Sequence, residues 1–250
     1  MERFKAAFIN EIEKIYKKKK AIVLVIISLV VIALGQLMIT GVRIGLGVRG
    51  ASSTEFPILV LSVFVNTILP LFVALVSIDM FAGEFSQNTM KIIITRPVTR
   101  LKLFSAKIAA VAFFAILNLL VVMILSTLTG FLFNSVSVTA AGLIRIVVSY
   151  LITLIPVVTL ALIIIFFANI FRSGAASFFL VIILFVVFKV MEFVFPQYSS
   201  LFITSMLNWY NLWLADVLPF GKILRQLLIM SGYAIMFFTA GYYLFDKKDL

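Results

Sequence analysis

Thirty-seven consecutive residues between Lys107 and Arg145 carry no formal charge, and residues 21–41 form a second uncharged run. A helix crosses the hydrocarbon layer of a bilayer in about 20 apolar residues, and only a helix or a closed barrel satisfies its own backbone there. Runs this long and unbroken are helical, because barrel strands read as short alternating segments. Composition agrees: 64% of the 250 residues are hydrophobic and 12% charged. A soluble domain averages about 45–50% apolar and about 25% charged, and a core of this size could not hide the excess. The chain therefore reads as an all-α integral membrane protein. Cys and His are both absent. Disulfides, thiolate nucleophiles, imidazole bases and the usual zinc ligands are excluded with them, and no metal site is expected.

Six spans can be laid along the chain: 21–41, 57–78, 108–133, 146–170, from just after Gly174 to about 195, and 227–245. The whole chain, 1–250, reads as one transmembrane domain. Pro70 and Pro156 lie inside spans, as kinks held by neighbouring helices or as hinges. With the N-terminus inside, fifteen Lys and Arg fall on the inner side and five on the outer. That bias puts both termini in the cytoplasm. The net charge of +11 is accordingly read as topology and contact with anionic lipid, not nucleic-acid binding. The basic run Lys17–Lys20 before the first span resembles a signal peptide, but the apolar run is too long and lacks a small-residue cleavage site.

Residues 1–20 carry Phe4, Phe8, Ile12 and Ile15 at helical spacing, with Lys5, Glu11, Glu13, Lys14 and Lys17 at other positions. This predicts an amphipathic helix lying on the inner leaflet. Residues 79–107, after span two, read as helix, turn, helix. Pro97 cannot continue a helix and restrains Arg96. Thr99 is placed to cap the following helix, with Val98 stapling onto Leu103. The apolar residues Ile92, Ile93, Ile94, Leu101, Leu103 and Phe104 in this polar hairpin need a surface to bury against, and a docking partner is the economical one.

Glu84, Thr89, Arg96-Pro97-Val98-Thr99-Arg100 and Lys107, directly after the second of six spans, resemble the membrane subunit of type-2 ABC exporters. Bacterial multidrug and peptide exporters of this kind carry an acidic residue, a Gly-Thr pair, a Pro-x-Ser/Thr-Arg turn and a Lys in this loop. Asn88 stands here where Gly is usual. The resemblance implies that residues 79–107 form a coupling helix seated in a separate cytoplasmic ABC ATPase. Two ATPase copies and a second permease chain, identical or paralogous, would complete the unit in a bacterial cytoplasmic membrane. ATP and Mg would bind the partner ATPase. This chain holds no phosphate-binding G-x-x-x-x-G-K-[ST] loop and would itself be non-catalytic, without a cofactor. Permeases of this size often serve export of, or immunity to, antimicrobial or cytolytic peptides.

Residues 196–224 hold Trp209, Tyr210 and Trp213 among apolar residues, broken by Pro196 and Pro219. They read as re-entrant or interfacial helices on the outer face, a lipid-facing cap or an exit gate. Lys189 and Glu192, three apart near the outer end of span five, can pair, or Lys189 can snorkel to the headgroups. Asn66 and Thr67 in span two and Asn118 in span three are candidates for helix-to-helix hydrogen bonds. With Lys189 and Glu192, Asn66 and Thr67 are also candidates for the cargo path or the permease interface. Two other classes remain open. An ATP-independent channel or secondary carrier would need internal acids and an inverted repeat, both sparse here. An intramembrane enzyme would need paired carboxylates at one depth, and only Glu192 lies clearly within a span.

Overall fold

The computed structural model describes residues 2–46, 51–84, 99–134, 139–171 and 173–247. Every element among them is helical. They are α1 (Glu2–Lys17), α2 (Lys20–Leu46), α3 (Glu55–Asn66), α4 (Ile68–Ile78), α5 (Arg100–Phe133), α6 (Ala140–Ile170), α7 (Gly174–Val194), α8 (Ile203–Met206) and α9 (Phe220–Asp246). A π-helical turn, Asp79–Gly83, prolongs α4, and short 3₁₀ turns cover Pro196–Leu201 and Trp209–Trp213. Thr89, Arg96, Pro97 and the Val98 staple lie outside the described residues, as does Arg172.

Among the described residues five helices are long and apolar enough to cross a membrane, and α3 with α4 makes a sixth candidate crossing bent by 43°. Pro70 explains where the bend falls. It has no N–H to give the carbonyl four residues back, that of Asn66, and its ring crowds that same carbonyl. The helix parts at Asn66–Thr67 as a result, whereas Pro156 is carried inside an unbroken α6. α6 is the central helix: 61% of its most apolar window is buried, against 11% for α7 and for α9. The outward faces of α2 and α7 present Ile22, Ile26, Leu29, Phe179, Ile183 and Val187, which lipid solvates at no cost.

Four expectations change. The second arm of the 79–107 hairpin is not a separate helix, since residues 100–107 are the first turns of α5, capped by Thr99 Oγ1 accepting from the Lys102 N–H at 3.4 Å. The helix that carries the last span begins at Phe220, directly after Pro219, ahead of the 227 read from the sequence. α1 does not merely float on a leaflet. It packs along α5, with Ile15 buried and Phe8 edge-on to Phe113 at 5.9 Å. Nor does the whole of the 196–224 segment face outward: Met206, Leu207, Trp209 and Tyr210 are buried, the last two against α6, while Tyr198, Leu201, Val217 and Leu224 are exposed.

Candidate functional site: a charge ring at the loop stem and a polar cluster at the helix break

Lys107 is completely buried, and so is Glu11 of α1. The Lys107 ammonium donates to Glu84 Oε2 at 2.6 Å, to Glu11 Oε2 at 3.0 Å and to the Met80 carbonyl at 3.1 Å. Lys14 closes the circuit from the other side, donating to Glu11 Oε1 at 2.7 Å and Glu84 Oε1 at 2.9 Å. Two carboxylates and two ammoniums thus alternate in a neutral ring, each acid bridging both bases. Burial would push the Glu11 carboxyl up, but the Lys107 and Lys14 ammoniums outweigh it and hold the group below the ordinary range. Burial likewise pulls Lys14 down, and Glu11 and Glu84 more than reverse it.

The ring joins three elements: α1, the end of span two and the start of α5. Its neighbours extend the clamp. Lys18 and Lys20 both pair with Asp79, and Lys19 between them takes a left-handed backbone (φ 57°) at the elbow joining α1 to α2. Arg100 binds the C-terminal end of α9 through the Asp246 carbonyl and carboxylate. Inside, Phe104 packs on Phe81, Phe238, Tyr242 and Phe245. Glu84 and Lys107 flank residues 85–98, so both roots of that segment are fixed to one body.

The second cluster sits at the break in span two. Lys189 donates to Asn66 Oδ1 at 3.0 Å, to Glu192 Oε2 at 3.3 Å and to the Thr204 carbonyl at 3.4 Å. Asn66 and Asn208 exchange amide hydrogen bonds at 2.7 and 3.3 Å. Beside the cluster opens a cavity of about 240 Å³ between α4, α6 and α7, walled by Pro70, Ala74, Ile163, Phe167, Val181 and Phe185 and reached at one end by Asn66 and Thr67.

A family model described as ABC-2 family transporter protein matches residues 7–189. The chain belongs to the ABC-2 transporter family. A comparison with curated proteins finds no match. The ABC-2 match takes in all four members of the charge ring, as well as Asn66 and Lys189.

In this ABC-2 chain the expected residues divide by position. Glu84 and Lys107 meet each other in the interior, and Thr99 and Arg100 sit at the root of α5. Asn66, Lys189 and Glu192 come together, while Thr67 turns its hydroxyl back onto the Val63 carbonyl at 2.6 Å. Asn118 bonds to the Phe114 carbonyl of its own helix at 2.6 Å, where a bond between helices was expected. Sequence reasoning placed Glu11 and Lys14 on a polar face. Yet Glu11 shares the 8, 11, 15 face of Phe8 and Ile15, and that spacing was the available signal. Asn208 and Thr204 carried none, because only the inward fold of 196–213 brings them to Lys189.

Proposed function

We propose that this chain is the permease subunit of an ATP-driven exporter, moving an amphipathic or hydrophobic cargo and powered by two copies of a separate ABC ATPase that bind ATP and Mg. In this reading a second permease chain completes the path, and both termini face the cytosol of a bacterial cell. Antimicrobial or cytolytic peptides are the first cargo to try. The observation that carries the reading is the buried ring Glu11–Lys107–Glu84–Lys14, which ties both roots of residues 85–98 to α1. A segment meant to transmit force must not hinge at its own roots, and packed elements of this kind move as rigid bodies.

On this reading Glu84 and Lys107 serve coupling from inside the subunit. Contact with the ATPase falls to Thr89, Arg96, Pro97 and their neighbours, with Arg100 and Thr99 at the margin. Co-expression with an ABC ATPase encoded beside the gene tests this through co-purification and ATP-dependent transport. Thr89→Arg combined with Arg96→Glu should abolish both while leaving the permease folded. Unchanged assembly and transport would refute the coupling assignment. Uptake or current in vesicles that lack any ATPase would replace it with the channel or secondary-carrier reading.

A further inference from the structure

Four consecutive lysines, Lys17–Lys20, meet at the elbow between α1 and α2. The fold gives them two acids. Lys17 pairs with Glu13 at 3.2 Å, both side chains exposed, and Lys18 and Lys20 share Asp79. Lys19 is exposed and meets no acid among the described residues. Two of the four positive charges are therefore left over. The neighbouring ring of Glu11, Lys14, Glu84 and Lys107 is neutral, and Arg100 pairs with Asp246. Lys5, Lys102 and Lys247 are exposed singly, in or beside three different helices. The elbow is thus where uncompensated charge collects. Ile22 follows Lys20 by two residues, about 3 Å along the helix. With Val23, Ile26 and Leu29 it is exposed on a helix long and apolar enough to span a membrane. On the other side of the elbow α1 exposes Ile9 and Tyr16. Lipid-facing surface therefore runs up to the lysines from both directions, and they stand at headgroup depth. The buried ring holds α1 to α5, and the left-handed backbone of Lys19 turns the chain between the two helices. The lysines are accordingly fixed in place before any ligand arrives.

We propose that the elbow binds the phosphate headgroup of an anionic lipid, with Lys18 and Lys19 on the phosphate and the acyl chains along Ile22, Val23 and Ile26 of α2. A zwitterionic lipid brings no net charge to offset the surplus, whereas phosphatidylglycerol does. An acidic protein surface would meet the same charges but would have no use for the aliphatic flank two residues away. The headgroup draws on Lys18 without stripping Asp79, which keeps Lys20. Because Asp79 opens the π-turn that leads into Glu84, a lipid seated here steadies the clamp at the root of residues 85–98. The site needs the bilayer and the elbow; it does not rest on the exporter reading.

The test uses the purified full chain in maltoside micelles, without any ATPase. Native mass spectra count the lipids retained as dioleoyl phosphatidylglycerol or dioleoyl phosphatidylcholine is titrated in. The first phosphatidylglycerol should bind roughly thirtyfold more tightly than the first phosphatidylcholine, each Lys beside an anionic headgroup being worth about fivefold. Added salt should narrow the gap, because the lysines are exposed. Lys18→Gln with Lys19→Gln should bring phosphatidylglycerol down to the level of phosphatidylcholine. Lys19→Gln alone, which disturbs no ion pair, should cost about fivefold and covers a double variant that does not fold. Phosphatidylglycerol should also raise Tm more than phosphatidylcholine in the parent chain, and not in the double variant. Lys102→Gln with Lys247→Gln removes the same charge from the same end of the bundle and should leave the preference intact. Equal loss in the two double variants would reduce the effect to diffuse attraction and overturn the site, as would phosphatidylcholine binding equally well. Competition by millimolar inorganic phosphate at constant ionic strength would reassign the lysines to free phosphate. Lipid binding that ignores Lys18→Gln with Lys19→Gln, in a variant that no longer assembles with the ATPase, would assign them to that partner instead. Because no ATPase is present in the titration, failure here leaves the exporter reading standing, and failure of ATPase assembly in the parent chain leaves this site standing.

Discussion

Replacing Lys107 by Met keeps the length of the side chain and removes the charge. The Glu84 and Glu11 carboxylates and the Met80 carbonyl then lose their shared donor inside the protein. Breaking a buried ion pair on one side costs about 3–5 kcal/mol, since it strands the opposite charge without water. Lys14, one-third exposed, still reaches both acids, so the low end, about 3 kcal/mol, is the appropriate figure. For a chain of this length that corresponds to a drop of about 6–12 °C in Tm. Thermal unfolding followed by size-exclusion chromatography in detergent measures it. Limited trypsin digestion at Lys17–Lys20 reports separately whether α1 has come away. Glu11→Gln together with Lys107→Met restores charge balance and should recover about half of the loss. A Tm for Lys107→Met within about 2 °C of the parent, with an elbow no more sensitive to trypsin, would refute the claim that the ring clamps the loop stem.

The same ring sets a pH window. Glu11 titrates below its ordinary value near 4.5, so its contribution is complete above that value and is lost as pH falls through the depressed one. Lys14 titrates above its ordinary 10.5, so its contribution is complete below that and is lost as pH rises through the raised value. Trypsin sensitivity of the elbow, probed after brief incubation across pH, should be flat between about pH 5 and 10 and rise at both ends. Gly130→Ala should destabilise the protein by about 1–3 kcal/mol, because a Cβ would stand 2.7 Å from the Ser53 carbonyl. Gly35→Ala, where a Cβ meets nothing within 4 Å, should stabilise α2 by about 0.5–1 kcal/mol; Tm in detergent separates the two. Gln36 and Asn134 exchange two amide hydrogen bonds between α2 and the end of α5, at 3.0 and 3.1 Å. Gln36→Leu should cost about 1 kcal/mol, and adding Asn134→Leu should recover part of it in the same assay.

Much of the architecture was legible because a bilayer demands so much of a sequence. The spans announce themselves through runs of uncharged residues, Thr99 announces a helix start, and Pro70 fixes which carbonyl must lose its partner. Lys189 and Glu192 were legible as a pair because three residues on a helix is a short-range relation. Glu11 was misplaced by the same local reasoning. A carboxylate on an apolar face looks like an error until Lys107, 96 positions away in the chain, is brought beneath it.

By itself the sequence determined that this chain is a bundle of membrane-spanning helices and where most of them end, because backbone solvation and hydropathy act on each segment alone. Only the tertiary structure decided that α1 is clamped to the loop stem, that 196–213 folds inward onto α6, and that Asn208 and Thr204 meet Lys189 at the broken span. Those outcomes are set by pairing charges and amides that cannot be left unpartnered in an apolar interior, and the partner of each lies far along the chain.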